Sequence, residues 1–337
     1  MKLSFDQIKS IVTGAVRVYE DGGAVCFDRF TPYQREVFTE YSEQFYGKTF
    51  SCAGMRLRFR TNSTTLYLRS NMEHARARTC FCLEVAVNGQ IIDAWDNFSH
   101  LPDDENFLER AYPMGPMEKH VDLGEGEKDV CVYLPWNAKV LLQELSVDDG
   151  AFIEPSKPAK KLLVFGDSIT AGFDARRPSN RYIGRVADAL GAEEFNKAIG
   201  GSVFVGKLTA EKEDIEPDYI IVAYGSNDWS VREKEVFEQN CKEFLTNLRH
   251  NYPNVPIFAI TPIWRKKHSA ILKLGPFSYV DAYIRQVADQ LENVQVIGGF
   301  DLVPHDSAYF ADLILHPNDA GFDHYFTNLW EHLKKLV

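Results

Sequence analysis

Four short stretches of this 337-residue chain hold side chains suited to nucleophilic and acid–base chemistry. The first is Gly166-Asp167-Ser168-Ile169-Thr170, directly behind the apolar run Leu162-Leu163-Val164-Phe165. A glycine and a short polar residue let a chain leave a strand sharply, so Ser168 falls at or near the start of the next helix. Free backbone N–H groups and the positive end of the helix dipole favour a developing negative charge there. A nucleophile and part of an oxyanion hole could then share one turn. An isolated Gly-Asp-Ser is more often a plain helix N-cap. The second stretch, Asn196 to Ser202, contains the pair Gly200-Gly201, which lets a backbone N–H approach a ligand closely. The third, Gly225-Ser226-Asn227-Asp228-Trp229, ends another apolar run. Its Asn227 is either a turn former or an amide donor for an oxyanion. The fourth holds Asp312, then His316-Pro317-Asn318. The chain has nine histidines, and His316 stands out for an acid shortly before it and a proline just after it.

The elements that must position these residues fall into two halves. Up to about residue 150 the chain reads as β-structure, with apolar and polar residues alternating over Met55–Arg60 and continuing in Thr64–Arg69. Cys80–Val87, Val130–Leu134 and Val140–Val147 extend the pattern, with Asn88-Gly89 as a turn signal. Short strands between turn residues predict a β-sandwich of jelly-roll type over residues 1–154. Tyr33–Tyr46 is the exception, a helix or an irregular excursion. A Pro- and charge-rich segment, residues 148–161, reads as a linker. Beyond it the period changes, and residues 155–337 form a second expected domain. Leu162–Phe165, Tyr219–Tyr224, Pro256–Ile260 and Val294–Ile297 read as buried strands; Arg181–Leu190, Glu233–His250 and Ser278–Leu291 read as helices. Strand and helix in alternation predict an α/β domain, a parallel sheet between helices, with its site at the C-terminal strand ends.

The four stretches in this order resemble the SGNH subgroup of the GDSL esterases and lipases. Gly166-Asp167-Ser168-Ile169 corresponds to the first block, with isoleucine where the family name has leucine. Ile199-Gly200-Gly201, Gly225-Ser226-Asn227-Asp228 and His316-Pro317-Asn318 correspond to the other three. The resemblance covers residues 161–337 and implies a flavodoxin-like hydrolase domain. It implies that Ser168 attacks an ester carbonyl and that His316 carries the proton. The N–H groups of Ser168 and Gly201 and the side chain of Asn227 would bind the oxyanion, with Gly201 preferred to Gly200. The family pattern is Asp-x-x-His, whereas this chain has Asp312-x-x-x-His316. Asp312 would orient the imidazole if the segment makes a helical turn, and would lie too far away if it is extended. A backbone carbonyl in its place, or Asp306, are the other candidates. The β-rich front half resembles the arrangement of family 2 carbohydrate esterases, which remove acetyl groups from sugars.

The reading is therefore an esterase for small acyl groups, acetyl foremost, on a carbohydrate or glycoconjugate. The alternatives are a short-chain carboxylesterase or lysophospholipase, and a non-catalytic carbohydrate-binding protein. Trp229 and Trp264, just after strand ends, are candidate substrate platforms, although aromatic core packing explains either; Trp95 and Trp136 read as core or interface. A net charge of −11 disfavours nucleic acid or an anionic membrane as partner, and Arg265-Lys266-Lys267 reads as a solvated loop or helix start. No apolar run has the length of a signal peptide or membrane span, and the six cysteines are scattered without a C-x-x-C pair. Reduced thiols and a cytoplasmic location are expected. No His/Cys/Asp cluster has metal-ligand spacing and no dinucleotide fingerprint is present, so neither metal nor cofactor is expected.

Overall fold

The computed structural model describes residues 1–101 and 108–337. Two antiparallel sheets in the front half share one core. In spatial order, one sheet is Arg17–Asp21, Ala24–Asp28, Ala138–Val147, Thr65–His74 and Pro116–Asp122. The other is Val12–Thr13, Arg56–Thr61, Lys128–Tyr133, Cys82–Val87 and Gln90–Asp96, with Glu154–Pro155 added beside Arg56–Thr61. From Ala24–Asp28 onward the eight longer strands cross between the sheets in jelly-roll order. Alternation is visible along Arg56–Thr61, where Leu57 and Phe59 enter the core and Arg60 faces solvent. Arg56 breaks the rule: buried, its guanidinium leaves the sandwich to meet Asp188 at 2.6 Å and the Gly184 carbonyl at 3.1 Å. Asn88 and Gly89, both at positive φ, make the expected hairpin turn.

The second half has five parallel strands, β1 (Lys160–Gly166), β2 (Ala192–Asn196), β3 (Tyr219–Ala223), β4 (Ile257–Ile260) and β5 (Val294–Ile297). Their order is β2-β1-β3-β4-β5, with all pairings parallel. Six helices accompany them: α1 (Ser168–Ala171), α2 (Tyr182–Leu190), α3 (Ser226–Val231), α4 (Lys234–Asn251), α5 (Ser278–Ala288) and α6 (Asp319–Leu333). Successive strand residues feed opposite faces. Leu163, Phe165 and Ile220 pack with α4 and α5, while Leu162, Val164 and Ile221 pack with α2 and α6. Strand order reverses between β1 and β3, so the crevice outside their C-terminal ends is the default ligand site of such a sheet.

The excursion expected around Tyr33–Tyr46 is two helices, Pro32–Tyr41 and Glu43–Lys48. Thr31 and Gln34 form a capping box on the first, and Ser42 caps the second. Phe30, Val37 and Phe38 pack into the same core as α4. Arg29, beside them, donates to Ser51 O at 2.6 Å and to Asn196 O at 2.6 Å and Ala198 O at 3.2 Å. Trp136 sits at the same seam, its indole N–H donating to Ala175 O at 2.9 Å. The seam is thus a packed interface running up to the strand ends. All six cysteines are free thiols, and no described helix is long and apolar enough to cross a membrane.

Candidate active site

β1 ends in Gly166, and Asp167 caps the one-turn helix α1 by accepting the Ile169 N–H at 3.0 Å. Ser168 is therefore the first residue of the helix. Its Oγ lies 2.9 Å from His316 Nε2, and His316 Nδ1 lies 2.8 Å from Asp312 Oδ2. The segment between the acid and the histidine is neither the helical turn nor the extended chain that the sequence left open. It is a closed loop, tied by Ala311 N–H to His316 O at 2.8 Å and by a bridge between Phe310 and Pro317. Asp312 Oδ1 accepts the N–H groups of Ile314 (2.9 Å), Leu315 (2.7 Å) and His316 (3.1 Å). Leu313, at φ 59°, takes the left-handed turn that accommodates the additional residue.

Burial pushes the Asp312 carboxyl up, but the His316 hydrogen bond and charge and the loop N–H groups outweigh it, holding it well below the usual carboxylate range. An ionised carboxylate only accepts, so Nδ1 carries an imidazole proton, and Nε2 is the ring nitrogen placed to accept from Ser168 Oγ–H. The arrangement can deprotonate a serine hydroxyl as it attacks a carbonyl and can stabilise the imidazolium that results.

A second carboxylate stands behind the same ring. Asp174 Oδ2 is 3.6 Å from His316 Nδ1, and its side chain is fully buried. Arg78, from the front half, grips it in a fork, Nε to Oδ1 at 2.9 Å and Nη2 to Oδ2 at 3.2 Å. Sequence spacing could not reveal this pair, 96 residues apart. Asp174, Asp312 and His316 place donor atoms within 4.8 Å of one another, a grouping that could ligate a cation. With Arg78 on Asp174 and Asp312 on Nδ1, acid–base chemistry accounts for those atoms.

Gly200-Gly201 lies beside the imidazole through Phe173, whose ring centroid is 5.7 Å from that of His316. A Cβ on Gly200 would fall 2.5 Å from the Phe173 ring and would have to displace it; Gly201 favours glycine for its φ of 82°. Asn227, in the first turn of α3, donates one amide hydrogen to Ser202 O at 2.9 Å, leaving its second. Neither Ser168 N–H nor Gly201 N–H donates to a described residue. Three uncommitted donors thus border the serine and the glycine turn.

Other expected residues lie elsewhere. Trp229 and Trp264 are 2% and 8% exposed. Trp229 donates its indole N–H to Gly275 O at 2.9 Å and packs on Phe277, while Trp264 stacks on His305 and also packs against Phe310. Neither offers the open ring face that a substrate platform needs, which corrects that expectation: Gly275 and Phe277 cover the first, and His305 and Phe310 pack against the second. Asp306 caps the short turn at Ser307–Tyr309 and does not meet the imidazole. Lys266 and Lys267 are exposed on a turn, but Arg265 bends inward to Ser226 O (3.1 Å) and Ser230 Oγ (2.8 Å).

Two buried acids flank the site. Burial pushes Asp167 up to about 6 and Asp228 up to about 7. In the unfolded chain an aspartate loses its proton at about pH 4. Between about pH 4 and 7 the native state therefore binds more protons than the unfolded one, and these acids make stability fall as pH rises through that window. Asp228→Asn keeps a carbonyl acceptor for Phe204 N–H and removes the titration. It should raise stability at pH 8, by up to about 4 kcal/mol, and leave it unchanged at pH 4. Thermal melts at the two pH values check this.

No curated protein sequence matches the chain. Among solved structures, salicylyl-acyltransferase SsfX3 from a tetracycline biosynthetic pathway is similar at 20% identity and a TM-score of 0.78, covering 96% of this chain and 94% of that one. A family two carbohydrate esterase from Clostridium thermocellum, solved with cellohexaose, has 14% identity and a TM-score of 0.65, covering 96% and 98%. An acetyl xylan esterase, Est2A, from the rumen bacterium Butyrivibrio proteoclasticus has 15% identity and a TM-score of 0.63, covering 99% and 98%. At these identities the likeness is one of fold, and it extends over both halves. The first, third and fourth sequence blocks and the glycine turn all fall within the segment that matches a family by sequence: residues 164–324 form a domain of the GDSL-like lipase/acylhydrolase family.

Proposed function

We propose that the protein is a serine esterase that removes small acyl groups, acetyl foremost, from a carbohydrate or glycoconjugate through an acyl-enzyme intermediate. The observation that carries it is the continuous hydrogen-bonded chain from Ser168 Oγ through His316 to Asp312. Ser168 Oγ attacks the ester carbonyl while Nε2 takes its proton. The N–H groups of Ser168 and Gly201 and the Asn227 amide receive the oxyanion, each worth about 3 kcal/mol in the transition state. His316 returns the proton to the leaving alcohol, and water then repeats the sequence in reverse to release the acid. We read residues 1–154 as a sandwich domain that walls the cleft and 155–337 as the catalytic domain.

Phe173 and Phe45 close in on the Gly200–Gly201 turn, which favours a short acyl group. The carbohydrate assignment rests on the architecture shared with the family two esterases. A non-catalytic scaffold is disfavoured, since a protein that only binds has no use for a serine, an imidazole and a carboxylate in line. Acyl transfer to an alcohol other than water would use the same acyl-enzyme.

A hydrolysis panel tests the reading. Acetylated mono- and oligosaccharides should be turned over faster than aryl esters of longer acids, with kcat/KM falling at least about tenfold from acetyl to octanoyl. A preference for long chains would replace this reading with that of a carboxylesterase or lysophospholipase.

A further inference from the structure

Helix Glu43–Lys48 of the front half ends against the Gly200–Gly201 turn. Lys48 Nζ donates to the Gly200 carbonyl oxygen at 2.6 Å and lies 5.1 Å from the Phe45 ring. Among the described residues that carbonyl is its one hydrogen-bond acceptor, and no described carboxylate forms an ion pair with it. Burial disfavours its charged form and pushes its pKa down. Holding an ammonium there without a counter-ion is unfavourable for folding. The contact crosses 152 residues of sequence and aims at one peptide group.

The chemistry of that peptide gives the contact a use. The Gly200 carbonyl and the Gly201 N–H belong to one planar unit and point in opposite directions. Two consecutive glycines, the second at φ 82°, make a peptide that could otherwise rotate readily. A cation on its oxygen fixes the plane. It also draws electrons toward the oxygen and makes the N–H on the far side a stronger donor.

We propose that Lys48 is a positioning residue for the oxyanion hole: it locks the Gly200–Gly201 peptide so that the Gly201 N–H faces the developing oxyanion, and it polarises that donor. The proposal rests on the reading of Gly201 as an oxyanion donor in a Ser168 esterase. It gives the front half a part in the chemical step through a side chain that need not touch substrate.

The test uses the full-length protein with Lys48→Met, Lys48→Gln and Lys48→Arg, a neutral aryl acetate, and an alkyl boronic acid that forms a tetrahedral serine adduct. Lys48→Met should lower kcat by about 10- to 100-fold, with KM within about twofold, and should weaken boronic acid inhibition by a similar factor. Lys48→Arg should recover most of kcat. Lys48→Gln supplies the same comparison if Lys48→Met fails to fold. Unchanged kcat in the neutral variants overturns the proposal. So does a loss confined to KM, which would make Lys48 a substrate contact, or a loss of kcat without weaker boronate binding, which would make it purely structural. Covalent labelling of Ser168 by a fluorophosphonate in the parent protein separates the two readings. Labelled, active parent with unaffected Lys48 variants sinks only the lysine's role, whereas an unlabelled Ser168 sinks the esterase reading itself.

Discussion

Ser168→Ala should lower kcat for ester hydrolysis by roughly four to six orders of magnitude while leaving the fold and substrate affinity nearly unchanged. The size follows from what the substitution removes. Ser168 Oγ is the atom that His316 Nε2 addresses at 2.9 Å, and the proposed mechanism has no second nucleophile. The proposed oxyanion donors survive, because two are backbone N–H groups and the third is Asn227, so a residual rate above the uncatalysed one should persist. Packing is barely disturbed: Ser168 heads a one-turn helix whose cap is the neighbouring Asp167 carboxylate, and alanine is at home there. Steady-state kinetics on an aryl acetate, with a melting curve as control, decide the matter. Activity within tenfold of the parent would remove Ser168 from the mechanism.

The second large effect is expected at Asp312. Asp312→Asn should lower kcat by about 10³–10⁴-fold, more than plain loss of a hydrogen bond, because the loop dictates which amide atom faces the ring. Three backbone N–H groups converge on Oδ1. The asparagine carbonyl oxygen must occupy that position, which turns the amide NH₂ toward His316 Nδ1. A donor there forces the imidazole proton onto Nε2, where it can no longer accept from Ser168. The same change of tautomer disables serine proteases whose buried aspartate is replaced by asparagine. Asp174→Asn should cost far less, about tenfold, since Asp174 is 3.6 Å away and already engaged by Arg78. Measuring both variants separates the carboxylates. If Asp174→Asn is the more damaging, the orienting role passes to Asp174.

Much of this site was legible in the sequence because the pieces are local. A serine behind an apolar strand, an asparagine behind another and two adjacent glycines announce themselves within a few residues each. Periodicity likewise placed α4 within a residue at each end, and its apolar stripe of Phe237, Cys241, Phe244, Leu245 and Leu248 is buried as a unit. Other elements escaped. β2 reads Ala-Glu-Glu-Phe-Asn and has no apolar run, because it is an edge strand whose Glu194 turns inward to a buried pair with Arg181 at 2.7 Å. The expected helix 278–291 stops at Ala288, where its pattern persists but the chain turns toward β5.

What the sequence determined by itself was therefore the chemistry available: which side chains could attack, carry a proton or bind an anion, and that they would meet at the ends of parallel strands. What only the tertiary structure decided was which groups stand behind them. Whether Asp312 reaches His316 depended on a closed loop with one left-handed residue, a conformation that no spacing rule encodes. The approach of Asp174, Arg78 and Lys48 depended on the front half docking against the strand ends, with partners 96 and 152 residues apart. Covering segments of the second half, Gly275–Phe277 over Trp229 and His305 with Phe310 beside Trp264, withdrew those two indoles into the core. Local patterns report backbone conformation over a few residues, whereas the surroundings of a charge are set by whatever the whole chain packs beside it.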